Sequence, residues 1–123
     1  MEKQLIELVL PEGLLDYFEV EAVKTGVNSE EEPSLRIYLT EKNIIPKGYD
    51  ASEYESKGFF DPKTISDFPI RGRFVYLVIK RRRWRHKTDP NRIIFNDYSF
   101  LAEGTKMTRD LAAFLKGAGR NAP

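Results

Sequence analysis

The strongest strand signal in the chain is residues 73–84, RFVYLVIKRRRW, rich in β-branched and aromatic side chains and free of breakers. From Phe74 to Ile79 every residue is apolar, which predicts a strand covered on both faces. The run then turns to KRRRWRHK from Lys80 to Lys87, cationic on both faces except at Trp84. Just upstream, residues 63–70, KTISDFPI, read as an extended segment that ends at Arg71-Gly72-Arg73, where glycine permits a tight reversal. Asp89-Pro90-Asn91 has turn chemistry, and residues 92–95, RIIF, are a candidate partner strand beyond it.

The first half has a weaker alternation. Residues 19–24, EVEAVK, and Leu35, Ile37 and Leu39 fit two strands of a hairpin joined by the acidic turn NSEEEP at 28–33. Residues 4–20 suggest two short helical turns broken at Pro11, with Leu14, Leu15 and Phe18 on one face. Residues 42–58 look irregular, and Ile45-Pro46-Lys47-Gly48 is a turn. Near the end, Met107, Leu111, Phe114 and Leu115 follow helical spacing up to a stop at Gly117. The pattern predicts one α+β domain over residues 1–117, a small antiparallel sheet with two hairpins and flanking short helices. A loose tail at 118–123 follows.

Composition narrows the chemistry. Hydrophobic residues make up 41% of the 123, enough for a core in a single domain. Cysteine is absent, which excludes a disulfide framework, a thiol nucleophile and cysteine-based zinc sites, and fits a cytoplasmic protein. The opening MEKQLIELVL is interrupted by Glu7 and reads as neither a secretory signal nor a membrane span. Net charge is only +1, yet residues 1–69 hold 7 Lys/Arg against 15 Asp/Glu and residues 70–123 hold 13 against 4. Such a dipole presents one half to a polyanion while the other repels it.

Four arginines at 81, 82, 83 and 85 exceed what protection of an edge strand requires. Fully extended, residues 80–87 would reach about 26 Å, enough to meet several phosphates of a duplex. The planar fork of arginine suits phosphate oxygens and guanine edges. The expected DNA contacts are Arg71, Arg73, Lys80, Arg81, Arg82, Arg83, Trp84, Arg85, His86 and Lys87. Trp84 stacks on a base, inserts at a base step or caps the sheet's core, and His86 reads more readily as a solvated surface residue than as a ligand or base. No phosphate-binding glycine loop, HExxH motif or nucleophile elbow occurs, so an enzyme is not expected. A small ribonuclease using His86 as its base is the enzymatic rival.

The run Asp67-Phe68-Pro69-Ile70-Arg71-Gly72-Arg73, followed by Val75, Leu77, Ile79 and Arg81-Arg82-Arg83-Trp84-Arg85, resembles the N-terminal DNA-recognition region of bacterial insertion-sequence transposases. In that class a D-L-P-x-x-G turn leads into a strand that ends in basic residues around an aromatic, usually within a cysteine-rich zinc knuckle. Residues 10–20 (LPEGLLDYFEV), 56–60 (SKGFF) and 103–115 (EGTKMTRDLAAFL) are similar to blocks of a subgroup in which this region is a separate reading frame. The resemblance implies a module that binds transposon ends together with a separate catalytic transposase subunit. This chain has His86 where the class places a zinc-ligating cysteine, so neither zinc nor any other cofactor is expected. The alternative is a protein-interaction or regulatory adaptor of the transposase that makes no direct DNA contact.

Overall fold

The computed structural model describes residues 10, 13–96 and 98. Its centre is the segment with the strongest strand character, β5 (Arg73–Lys80), which is paired on both sides. Along one edge β5 runs antiparallel to β4 (Lys63–Ile70), and along the other it runs parallel to β2 (Pro33–Glu41). β1 (Phe18–Val27) completes this four-stranded sheet as the hairpin partner of β2. A second, three-stranded antiparallel sheet has β6 (Arg82–His86) at its middle, between β3 (Tyr54–Phe59) and β7 (Ile93–Ile94).

The expected α+β class is corrected to a mostly β fold. Among the described residues, helix is limited to α1 (Leu14–Tyr17) and one 3₁₀ turn at Ala51–Glu53. α1 is too short to be stable alone, and Leu14 and Leu15 hold it by packing on the sheet. The helix expected around residues 105–116, the first turns before Leu10 and the tail at 118–123 lie outside the described residues. The sheet is also not purely antiparallel, since Ser34↔Phe74 through Thr40↔Lys80 is a parallel register. A period-two pattern specifies which side chains share a face but not the direction of a neighbouring strand.

Strands β3–β4 and β5–β6 form one long antiparallel ribbon, from Tyr54↔His86 at one end to Ile70↔Arg73 at the other. The ribbon leaves the first sheet and enters the second where β5 gives way to β6 at Arg81, and the Phe60 N–H donates to the Arg81 carbonyl there (2.9 Å). The buried side changes at the same place. Val75, Leu77 and Ile79 point into the main core with Phe18, Ile37, Leu39 and Ile65, whereas in β6 it is Trp84 that is buried. Only one face of β5 is covered, because Phe74 is 44% exposed and Tyr76 and Val78 are partly exposed. The expectation of cover on both faces is therefore wrong: the outward residues are apolar but face solvent at least in part.

The reversal at Arg71-Gly72 is a two-residue turn in which both residues have positive φ, 49° and 76°. That is the hairpin geometry that suits right-twisted strands, and it requires the left-handed region at both central positions. The ladder slips between Asp67 and Ile70, where Pro69 lacks a donor, so the turn sets the final register. A Cβ at Gly72 would meet nothing within 4 Å, so a substitution there acts through backbone strain alone. Gly72→Val is expected to cost about 1–3 kcal/mol, while Arg71→Asn should be neutral or stabilising because asparagine tolerates this region. Thermal unfolding checks both, and an unchanged melting temperature for Gly72→Val would refute the strain argument.

Candidate nucleic-acid interface

The basic run is not a free finger. β6 is hydrogen-bonded on both edges, and Trp84 at its middle is 0% exposed beside Tyr54, Ile94 and Ile45. The Trp84 Nε1–H donates to Asn43 Oδ1 (2.8 Å), so the one polar atom of the indole is satisfied inside. Trp84 is therefore a core residue and does not stack on a ligand. Its fluorescence should stay unaffected by saturating DNA and by acrylamide, and strong quenching by either would contradict its burial.

Strand alternation then sorts the cations. Arg82, on the Trp84 side, is engaged: its Nε–H donates to the Glu41 carbonyl (3.2 Å) and its Nη1 to Ser56 Oγ (2.6 Å). Its guanidinium also lies 4.5 Å from the centre of the Phe59 ring, and Lys80 approaches the same ring at 4.8 Å. His86 has a polar neighbour near each ring nitrogen. Nε2 faces Glu53 (3.7 Å), and Nδ1 accepts from the Thr88 backbone N–H (3.2 Å). The ring also meets Tyr54 edge-on. Lys87 is exposed, and its backbone N–H donates to the Glu53 carbonyl.

The joint between the sheets is organised by Glu41, 2% exposed at the end of β2. Its carboxylate accepts the Arg82 backbone N–H (2.7 Å), the Asn96 amide (3.2 Å) and the Tyr98 hydroxyl. Burial, and then this bond to Glu41, hold the Tyr98 phenol far above the ordinary tyrosine value. Nearby, a cleft of about 470 Å³ is lined by Tyr17, Ile44, Pro46, Lys47 and Tyr98. Among the described residues that line it there is no carboxylate or histidine.

Arg81, Arg83 and Arg85 fall on the opposite, outward side. Arg81 and Arg83 stand over the Phe60 ring at 5.4 and 5.8 Å, and Phe60 meets Phe95 edge-on at 5.4 Å. Arg85 lies in register with Ile93 and with Glu55, whose carboxylate is 3.9 Å away. Ile93 and Phe95 are each 48% exposed. The outer face of the second sheet is thus a row of three arginines set among apolar rings. Phe59, Phe60 and Phe95 were not among the expected contacts. The adjacent Phe59-Phe60 pair was the available signal, since neighbours in a strand serve opposite faces.

Arg71 and Arg73 sit elsewhere. They are exposed at the far end of β5, about 26 Å from Arg81 at ordinary strand rise. Because β2 and β5 are parallel, that end also carries the acidic turn of the β1–β2 hairpin, where Asn28 Oδ1 accepts from the Glu30 and Glu32 N–H groups. Apart from the exposed Lys87, the expected contacts therefore separate into a distant hairpin tip, an internally engaged set and an outward row. No family model, curated protein or solved structure matches the chain. No helix among the described residues is long and apolar enough to cross a membrane.

Proposed function

We propose that the chain is a DNA-binding module without catalytic residues of its own, acting in transposition beside a separate catalytic transposase subunit. The observation that carries this reading is the outward row of Arg81, Arg83 and Arg85 on the central strand of the second sheet. A rigid strand spaces alternate side chains by roughly 6.6 Å, close to the spacing of phosphates along a strand of nucleic acid. The transposase context is supported by the resemblance of residues 67–85, which form the turn and returning arm of the long ribbon. Titration against transposon-terminal repeats and an unrelated duplex at two salt concentrations tests the proposal. Binding should weaken steeply with salt, and no binding to any DNA at low salt would refute it.

A second reading, an adaptor that docks on the catalytic subunit, is favoured by β1. It is an edge strand of the first sheet, with Val23 and Val27 exposed among Glu19 and Glu21. Among the described residues that edge has no strand partner, and its glutamates fit pairing with a basic one. The two readings use different sheets and are compatible.

A further inference from the structure

Resting on the DNA-binding reading, we propose that the outer face of the β3–β6–β7 sheet takes an unpaired DNA strand, with bases stacking at Phe60 and Phe95 and phosphates held by Arg81, Arg83 and Arg85. Three observations lead there. First, β6 is paired on both edges, so the arginines project from the middle of a three-stranded surface. Three strands span about 10 Å between outer axes before side chains are added, which leaves little clearance in a major groove about 12 Å wide. Groove reading by a strand uses a ribbon of two, and here both partners flank the basic strand.

Second, the surface between the arginines is apolar. Phe95 and Ile93 are each 48% exposed, and Phe60 lies between Phe95 and the guanidinium groups of Arg81 and Arg83. A duplex approached along its backbone offers phosphates and sugars and would leave these rings unused. An unpaired strand offers both of the needed surfaces at once, because every base has a stacking face and every nucleotide a phosphate. Arginine planes themselves stack on bases, so the guanidinium groups above Phe60 extend the platform.

Third, Arg71, Arg73 and Arg82 do not serve a ligand on this face. Arg82 is spent on Glu41 and Ser56, and Arg71 and Arg73 are at the opposite end of β5. The platform is therefore short, built around three arginines and two rings, and suits a few nucleotides.

Fluorescence anisotropy of the full chain, with a labelled 12-nucleotide dT strand and a 12-base-pair duplex as probes, tests this. The single strand should bind at least tenfold more tightly. Phe95→Ala, at an exposed position, should fold as judged by circular dichroism and lose roughly tenfold in single-strand affinity, as loss of one stacked base implies. Its duplex binding should be unchanged, and Phe95→Trp should restore single-strand binding. Arg83→Ala with Arg85→Ala should weaken both probes. Duplex binding as tight as single-strand binding, or a Phe95→Ala variant with undiminished single-strand affinity, overturns the inference and leaves the DNA-binding reading standing. Failure to bind either probe overturns that reading itself.

Discussion

Exchange of Arg81, Arg83 and Arg85 for alanine should lower DNA affinity about 100-fold at low salt while leaving the fold intact. The three side chains stand on the outward face: Arg81 and Arg83 lie over the Phe60 ring, the Arg83 Nε–H donates to the Lys57 carbonyl (3.2 Å), and Arg85 stands 3.9 Å from Glu55. Exposed pairs of that kind contribute little to stability. Each lost phosphate contact removes about 1 kcal/mol and the counterions it displaced, so the slope of log affinity against log salt should flatten by roughly 2–3 units. Arg82→Ala, one residue away, should do the reverse. It loses bonds to the Glu41 carbonyl and Ser56 and its stacking on Phe59, so stability should fall by about 2–3 kcal/mol. Paired salt titrations and thermal melts separate the two. A triple variant with unchanged affinity and slope would remove this face from consideration.

Glu41→Ala is expected to be the most destabilising single substitution at the joint, costing about 3–5 kcal/mol. The carboxylate accepts from Arg82, Asn96 and Tyr98 at a site that is 2% exposed, so its loss strands donors where water does not readily replace it. Glu41→Gln keeps the shape and one acceptor oxygen, and should cost less than half as much. Urea unfolding measures both, and equal stabilities for the two variants would argue against the acceptor role. Tyr98 adds a pH signature. Its phenol is raised above the ordinary value, so its contribution is complete below about pH 10 and is lost as pH climbs toward the raised value. Tyr98→Phe should therefore flatten the alkaline limb of the stability profile.

Local chemistry was legible wherever the turn and the strand pattern agreed. The β1–β2 hairpin, the extended segment at 63–70, the reversal at Arg71-Gly72 and the pairing of Ile93 and Ile94 with β6 all follow from turn residues beside alternating or β-branched runs. β3 escaped notice because Glu55, Ser56, Lys57 and Gly58 have little strand propensity, and only the ribbon partner β6 organises them. The parallel neighbour of β5 was illegible because alternation carries no direction. Within the site, the number and type of cations were readable but their roles were not. What separates Arg82 from Arg81 and Arg83 is Glu41, 41 residues upstream, and no local pattern points to it.

The parallel pairing of β2 with β5 has a kinetic consequence. The β4–β5 arms meet across two residues, but β2 can join β5 only after the whole ribbon between them has been closed into a loop. Local closure comes early in such a chain and the long-range pairing comes late, which places the fold among the slower small domains. Strain at Gly72 would then be felt in the rate-limiting ensemble, so Gly72→Val should slow refolding while barely changing the rate of unfolding. Glu41, which joins β2 to the first residue of β6, should act at the other limit: its loss should speed unfolding and leave the folding rate nearly unaltered.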